Sequence, residues 1–225
     1  MKKTIVIMTK VPQAGKVKTR LQPFLTVQQS AEISVCFLQD TEAKAKTVTQ
    51  KLIIAFSPIE KKNLLTDILQ TEPILVEQKG ENLGERMFHA FEFAFLNDSD
   101  AVVMIGTDSP TVPAEFIKRA FAFLETKADA VLGKTKDGGF YLIGLRKLDE
   151  RIFENVEWSS PKTFEQTRRN IENLNLSLSE IPVWYDVDTP EDLKILKKEL
   201  MGNPQLAPKT AEFLDSLNFI LNTNL

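Results

Sequence analysis

Short runs of apolar residues recur along the chain, and longer amphipathic segments separate them. An uninterrupted apolar run rich in β-branched residues is typical of a strand buried on both faces of a sheet. The sequence therefore predicts strands at 4–9, 52–56, 73–76, 101–105, 128–133, 140–145 and 176–182. The run at 101–105 is apolar throughout, and it leads directly into the polar segment Gly106–Pro110.

Segments with helical spacing of apolar residues lie between these runs. They predict helices at 27–46, 58–69, 113–126, 159–173, 190–200 and 210–221, and another after the polar turn 78–86 that ends near Leu96. Alternating strands and helices indicate a three-layer α/β/α sandwich, with a Rossmann-like and mostly parallel sheet. Few residues separate the strands at 128–133 and 140–145, which is too short for a parallel crossover, so we expect this pair to be antiparallel.

Length and composition limit the remaining possibilities. The 225 residues fit one large domain at 1–201, followed by a linker and an amphipathic helix at 202–225. We expect that helix to pack on the domain, with a homodimer contact as the alternative. A net charge of −3 argues against nucleic-acid binding through bulk charge. One cysteine, no signal-peptide pattern and no membrane-length apolar stretch together predict a cytoplasmic protein without a membrane span.

A basic loop follows the first predicted strand. It contains Lys10, Lys16, Lys18 and Arg20, and Gly15 interrupts regular structure within it. Backbone N–H groups and cations that converge after a strand form an anion site, although the loop matches neither the Walker A pattern nor G-x-G-x-x-G. A solvated basic loop is an equal alternative from spacing alone.

Two acidic motifs follow apolar segments at the expected carboxyl edge of the sheet, where open α/β sheets bind ligands. One contains Asp108 in G-T-D-S-P, and the other contains Asp186 and Asp188 in D-V-D-T-P. Oxygen ligands suit Mg²⁺ or Mn²⁺, and the sequence offers no His/Cys set for zinc. Taken alone, Asp108 is better explained as a turn residue and Asp188 as a neighbour of a helix cap, so the metal site depends on their convergence with the basic loop.

Six motifs in order resemble the DUF2064 group of the GT-A-fold nucleotide-diphospho-sugar transferases. They are K-x-P-x-x-G-x-x-K-T-R-L from Lys10, L-G-E-R-M from Leu83, G-T-D-S-P from Gly106, D-G-G-F-Y-L-I-G-L from Asp137, W-S-S from Trp158 and D-V-D-T-P-E-D-L from Asp186. The resemblance covers roughly residues 3–200. Phospholactate guanylyltransferases and molybdenum-cofactor nucleotidyltransferases are similar to a lesser degree.

The resemblance implies a role for each motif. The phosphates of a nucleotide donor would lie on Lys10, Gly15, Lys16, Lys18 and Arg20. The first turn of the helix after residue 82 would approach the nucleoside or the transferred group through Gly84, Glu85 and Arg86. Asp108 and Asp188 would bind the divalent cation, although a single aspartate stands at 108 in place of a D-x-D pair. The acceptor side would be lined by Asp137, Gly138 and Gly139.

Three hypotheses about function follow. The first is metal-dependent glycosyl transfer from a nucleotide-diphospho-sugar to an unidentified small acceptor, with Lys18 and Arg20 stabilising the leaving group and Asp137 on the acceptor side. The second is nucleotidyl transfer from a nucleoside triphosphate to a phosphorylated or hydroxylated acceptor, which the cation-rich loop favours. The third is a nucleotide-binding protein without catalytic activity.

Overall fold

Seven strands form one sheet in this computed structural model, which describes residues 1–22 and 24–217. The strands are β1 (Lys3–Lys10), β2 (Lys51–Ser57), β3 (Ile74–Glu77), β4 (Ala101–Gly106), β5 (Ala130–Thr135), β6 (Phe140–Leu145) and β7 (Leu178–Trp184). They are arranged in the order β3-β2-β1-β4-β6-β5-β7. The central strands β1 and β4 are parallel neighbours, with Ile5 opposite Val103.

Helices cover both faces of the sheet. They are α1 (Val27–Lys46), α2 (Lys62–Ile68), α3 (Leu83–Leu96), α4 (Ala114–Thr126), α5 (Thr163–Asn173), α6 (Pro190–Gly202) and α7 (Pro208–Ser216). Apolar residues of α1, α2 and α4 pack on one face, and those of α3 and α5 pack on the other. In β4, Val103 faces the first core and Val102 the second, because alternate side chains of a strand point to opposite faces. The predicted α/β/α sandwich is confirmed.

The strand β6 runs against its neighbours, as the short connection before it predicted. It pairs antiparallel with both β4 and β5, with Leu145 opposite Val102 on one side and Ala130 on the other. The other pairs in the sheet are parallel. Because of this reversal β6 begins at the edge where the parallel strands end, so the turn before it reaches the same edge as the loops after β1 and β4.

Several element boundaries differ from the predicted ones by a few residues. The strand predicted at 128–133 begins at Ala130, because the N–H of Ala128 bonds to the carbonyl of Phe123 at the end of α4. The strand predicted at 176–182 begins at Leu178, because the N–H of Leu176 still closes α5. In both cases a helix C-terminal hydrogen bond takes residues that the apolar pattern assigned to a strand.

The last described helix, α7, is attached to α1 through one buried carboxylate. Asp40 accepts hydrogen bonds from the backbone N–H groups of Lys209 and Thr210 at 2.9 and 2.8 Å. Leu214 and Leu217 are buried in a third apolar cluster with residues of α1 and α6. Ile220 and Leu221 of the predicted helix at 210–221 lie outside the described residues. None of the described helices has the length and hydropathy that crossing a bilayer requires.

Candidate functional site

An open cleft of about 770 Å³ lies at the carboxyl edge of the sheet. It is bordered by the ends of β1 and β4, the start of β6, and the segment that follows β7. Its position agrees with the rule that open α/β sheets bind ligands beyond the carboxyl ends of their strands. Two of its sides differ in chemistry.

The first side, which we name the charged wall, consists of Lys18, Arg20, Asp108, Asp186 and Asp188. Lys18 has a left-handed backbone with φ of 46°, a conformation that costs of order 1 kcal/mol in a non-glycine residue. This conformation starts the short helical turn Thr19–Leu21, whose Leu21 is fully buried. The loop is thus held at a buried leucine, and the Lys18 side chain turns inward with 7% exposure.

The ammonium of Lys18 joins the two predicted metal ligands. Its Nζ lies 2.5 Å from the carboxylate of Asp108 and 3.0 Å from that of Asp188. It also donates a hydrogen bond to the carbonyl of Val187 at 2.8 Å. Burial alone would lower the pKa of Lys18, but the two carboxylates outweigh it and the pKa is raised. Lys18 is therefore protonated at neutral pH.

Backbone hydrogen bonds bring the two acidic motifs together. The N–H of Val187 donates to the carbonyl of Asp108 at 2.8 Å, which links the loop after β4 to the segment after β7. Beyond that segment, Thr189 and Asp192 form a capping box at the start of α6. Because this capping box fixes the start of α6, it also fixes the position of Asp188, which directly precedes Thr189.

Asp186, the first aspartate of the D-V-D motif, is half-buried at the cleft. It accepts a hydrogen bond from the hydroxyl of Ser109. Burial raises the pKa of Asp186 to about 7, and the carboxylates of Asp108, Asp137 and Asp188 add to this rise. The alternation of aspartates in D-V-D was the one sequence signal for a third carboxylate here, and it could not reveal the burial.

The oxygen donors of the charged wall suit a hard divalent cation such as Mg²⁺ or Mn²⁺. Across residues 1–22 and 24–217, however, no group of three His, Cys, Asp or Glu side chains is arranged to hold a metal ion. The ammonium of Lys18 lies between Asp108 and Asp188, at the place where a shared cation would contact both. A divalent cation held between these two carboxylates would have to displace the Lys18 ammonium from that place.

The opposite side, which we name the aromatic wall, consists of Leu83, Met87, Phe140 and Trp158 with the hydroxyls of Ser159 and Ser160. Its larger side chains belong to the core between the sheet and helices α3 and α5. The rings of Phe140 and Trp158 meet edge to face, with centroids 6.4 Å apart. Trp158 is half-buried and has a surface on the cleft.

The turn between β5 and β6 forms the end of the cleft beside the aromatic wall. One oxygen of Asp137 accepts hydrogen bonds from the hydroxyl of Thr135 at 2.5 Å and from the N–H of Gly139 at 3.1 Å. Gly138 has a φ of +95°, and a Cβ there would lie 2.3 Å from the carbonyl oxygen of Pro161. This close approach fixes the turn against the start of α5. Among the described residues, hydrogen bonds reach one oxygen of Asp137 and not the other.

The predicted site residues divide into two groups. Eight of them line the cleft: Lys10, Lys16, Lys18, Arg20, Asp108, Asp137, Gly139 and Asp188. The side chains of Lys10, Lys16 and Arg20 belong to exposed residues and remain at its mouth. Five others do not line it: Gly15, Gly84, Glu85, Arg86 and Gly138.

The residues outside the cleft have identifiable structural roles. Glu85 accepts hydrogen bonds from the backbone of Glu81 and the side chain of Asn82, both at 2.7 Å, and so closes the turn before α3. Arg86 donates to the carbonyl of Gly80 at 3.0 Å. A Cβ on Gly84 would lie 2.5 Å from the Trp158 indole, so this glycine allows the indole to pack on α3. Gly15, at φ of +75°, supplies the bend of the basic loop.

Gln78 is a cleft residue that the sequence placed only in a polar turn. Its side-chain N–H₂ donates to the carbonyls of Thr9 and Ala55 at 3.0 and 2.8 Å. These bonds tie the ends of β1, β2 and β3 together at the edge of the cleft. A glutamine in a turn gives no sequence signal for such a role, because both carbonyls are distant in the chain.

Comparisons with known proteins show which family and which solved structures the chain is similar to. A family model described as "Uncharacterized protein conserved in bacteria (DUF2064)" matches residues 39–160. A crystal structure from Desulfovibrio desulfuricans G20, provisionally described as a nucleotide-diphospho-sugar transferase, is 29% identical with a TM-score of 0.92. That similarity covers 98% of this chain and 97% of the other. The search of curated proteins found no match.

More distant structures share the fold alone. The 4-diphosphocytidyl-2C-methyl-D-erythritolsynthase from Anaerococcus prevotii DSM 20548 is 13% identical with a TM-score of 0.58, over 89% of this chain and 96% of that one. Rv0371c from Mycobacterium tuberculosis H37Rv, crystallised in complex with manganese, is 13% identical with a TM-score of 0.53, over 87% and 98% of the two chains.

Proposed function

Since the chain belongs to the bacterial DUF2064 family, we propose that it is a metal-dependent transferase that uses a nucleotide-activated donor. The observation that carries this proposal is the convergence of Lys18, Asp108 and Asp188 at the carboxyl edge of the sheet. These residues are far apart in the chain and meet in a cleft large enough for a nucleotide. A solvated basic loop would not bury a lysine between two aspartates.

In this proposal the exposed Lys10, Lys16 and Arg20 bind the donor's phosphates at the mouth of the cleft. Asp108 and Asp188 would hold the divalent cation, which neutralises the charge that develops on the leaving phosphates. Lys18 is positioned to move from the two carboxylates to a phosphate oxygen and to stabilise that same charge. The chain therefore contributes orientation and electrostatic stabilisation more than covalent chemistry.

Glycosyl transfer from a nucleotide-diphospho-sugar is the preferred form of this reaction. The similar protein from Desulfovibrio desulfuricans G20, with almost complete coverage of both chains, is provisionally described in those terms. Nucleotidyl transfer is the second candidate. It is favoured by the number of cations around the cleft, since a triphosphate carries more charge than a diphosphate. These cations are Lys10, Lys16, Lys18 and Arg20.

Calorimetric titration with nucleoside triphosphates and nucleotide-sugars, with and without Mn²⁺, tests the proposal. We expect binding that requires the metal, and we expect Asp108→Asn to reduce affinity at least about tenfold, which corresponds to a loss of 1.4 kcal/mol. Asp67→Asn, an exposed residue of α2, is the matched control. Metal-independent binding that is identical in both variants would overturn the assignment.

The products of turnover separate the two candidate reactions. Release of pyrophosphate shows nucleotidyl transfer, and release of a nucleoside diphosphate shows glycosyl transfer. If nucleotide binds but neither product forms with any donor and acceptor tried, the hypothesis of a binding protein without catalytic activity is favoured instead.

A further inference from the structure

The two walls of the cleft face different sides of the sheet, and this difference bears on the acceptor. Lys18 lies 5.6 Å above the Phe37 ring of α1, so the charged wall is on the α1 side. Met87, Phe140 and Trp158 belong to the core on the α3 and α5 side. If the donor's phosphates lie on the basic loop after β1, the aromatic wall beside β6 remains free for the acceptor.

The aromatic wall contains no cation among the residues that the structure describes. The nearby lysines each contact another group outside this wall. Lys134 pairs with Glu165 at 3.3 Å, and Lys162 pairs with Glu157 at 3.0 Å. Lys136 lies over the ring of Tyr185. A phosphate on the acceptor would therefore find no side-chain counter-ion on this wall.

The start of α5 borders the same wall, and a helix N-terminus can bind anions when its N–H groups are free. Here protein acceptors already use three of them. The N–H of Lys162 bonds to the hydroxyl of Ser160 at 3.2 Å, and that of Thr163 bonds to the carbonyl of Ser160 at 3.2 Å. The N–H of Phe164 bonds to the carbonyl of Gly138 at 2.9 Å. The helix therefore cannot replace the absent cations.

Asp137 adds a negative charge at the end of this wall. Its position is fixed by the hydrogen bonds from Thr135 and Gly139. A carboxylate at this point repels a second anion and can accept a hydrogen bond from a hydroxyl group. The flat faces of Trp158 and Phe140 offer apolar contact to a ring, as aromatic side chains do for the C–H faces of other rings.

We propose that the acceptor of this transferase is an uncharged, hydroxyl-bearing molecule with an apolar face that packs on Trp158, and that it carries no phosphate. This inference rests on the proposed function and narrows its acceptor class. The acceptor hydroxyl would lie near Asp137, and its apolar face would contact the aromatic wall. A phosphorylated acceptor, which the sequence left open, is disfavoured.

Tryptophan fluorescence tests this directly, because the chain has only Trp158 and Trp184. Trp184→Phe leaves Trp158 as the single tryptophan. A phenylalanine at position 184 can still pack on Phe116 and Tyr185, as Trp184 does. The protein is saturated with nucleotide and Mn²⁺ and then titrated with phenyl β-D-glucoside or its 6-phosphate. We expect the neutral glycoside to change Trp158 emission and to bind at least about tenfold more tightly than the phosphate ester.

Each other outcome counts against the inference. Tighter binding of the phosphate ester, or an emission change produced fully by nucleotide alone, would overturn it, and the second result would assign this wall to the nucleoside. No response to either glycoside, with nucleotide binding intact by calorimetry, would also overturn it and leave the proposed function standing. Absence of nucleotide binding would contradict the proposed function itself. Calorimetry on the unmodified chain repeats the comparison without any substitution.

Discussion

The charged wall and the aromatic wall of the cleft depend on different kinds of structure. The charged wall unites residues separated by as many as 170 positions, as in the bond from Lys18 to Asp188. The aromatic wall comes from packing at the end of one core, where Gly84 of α3 accommodates Trp158. Ion pairs hold the charged wall together, and close packing of side chains holds the aromatic wall together. We therefore expect a substitution in one wall to leave the other unchanged.

Substitution of Lys18 should have the largest effect on the charged wall. Lys18→Met removes the cation that would stabilise the leaving phosphates, and we expect transfer to slow by about 10²- to 10³-fold. Stability should fall by only about 1–2 kcal/mol, because the partner carboxylates are about half exposed and solvent screens them. Steady-state kinetics and urea unfolding measure the two effects.

Lys118→Met on the surface of α4 is the matched control, since Lys118 forms an exposed pair with Glu115. In the Lys18→Met protein the metal-induced rise in Tm should increase, because Asp108 and Asp188 no longer share an internal cation. A variant with full activity and an unchanged Mn²⁺ response would remove Lys18 from the proposed mechanism.

Asp186 should make the stability of the metal-free protein depend on pH. Its pKa is raised from 3.8 to about 7 in the folded chain, so between these values the folded state holds a proton that the unfolded state has lost. Stability therefore falls as pH rises from about 4 to 7, by up to about 3 kcal/mol. Urea unfolding in a chelator across this range measures the effect.

Asp186→Asn should remove that pH dependence and should be more stable than the unmodified chain at pH 8. The asparagine keeps an acceptor for the hydroxyl of Ser109 and carries no charge to bury. Identical pH profiles for the two proteins would show that Asp186 is ionised throughout, with its charge offset by water or ions.

Gly84→Ala should disturb the aromatic wall and spare the charged one. The added Cβ would lie 2.5 Å from the Trp158 indole, so the ring must shift, at a cost of about 1–2 kcal/mol. Trp158 emission should change while nucleotide affinity stays within twofold of the unmodified value. Gly202→Ala is the control, since a Cβ there meets no atom within 4 Å. Loss of nucleotide binding in Gly84→Ala would show that the two walls are coupled.

Glu85→Gln should have the smallest effect. The carboxylate closes the turn before α3 and its residue is exposed, so we expect a stability loss below about 1 kcal/mol. Calorimetry should give unchanged nucleotide affinity. A tenfold weaker affinity in a folded variant would return Glu85 to the donor site, as the family resemblance implied.

The order of elements and the single reversed strand were predictable because they depend on local patterns. Apolar runs marked β1 and β4, and the short link before β6 excluded a parallel crossover. The same reasoning placed Asp108 at the edge of the sheet. Boundaries at Ala130 and Leu178 were less predictable, since a helix and a strand compete for the residues between them.

The sequence by itself determined the strand-and-helix alternation, the cationic loop after β1 and the acidic motifs after β4 and β7, because each depends on neighbouring residues. Only the tertiary structure decided that Lys18 turns inward to Asp108 and Asp188 and that Asp186 is half-buried. It likewise decided that Glu85 and Arg86 close a turn outside the cleft. It also decided that the Trp158 indole reaches the cleft, because Gly84 has no side chain to block it. Burial and charge pairing depend on residues that are distant in the chain, so no local pattern specifies them.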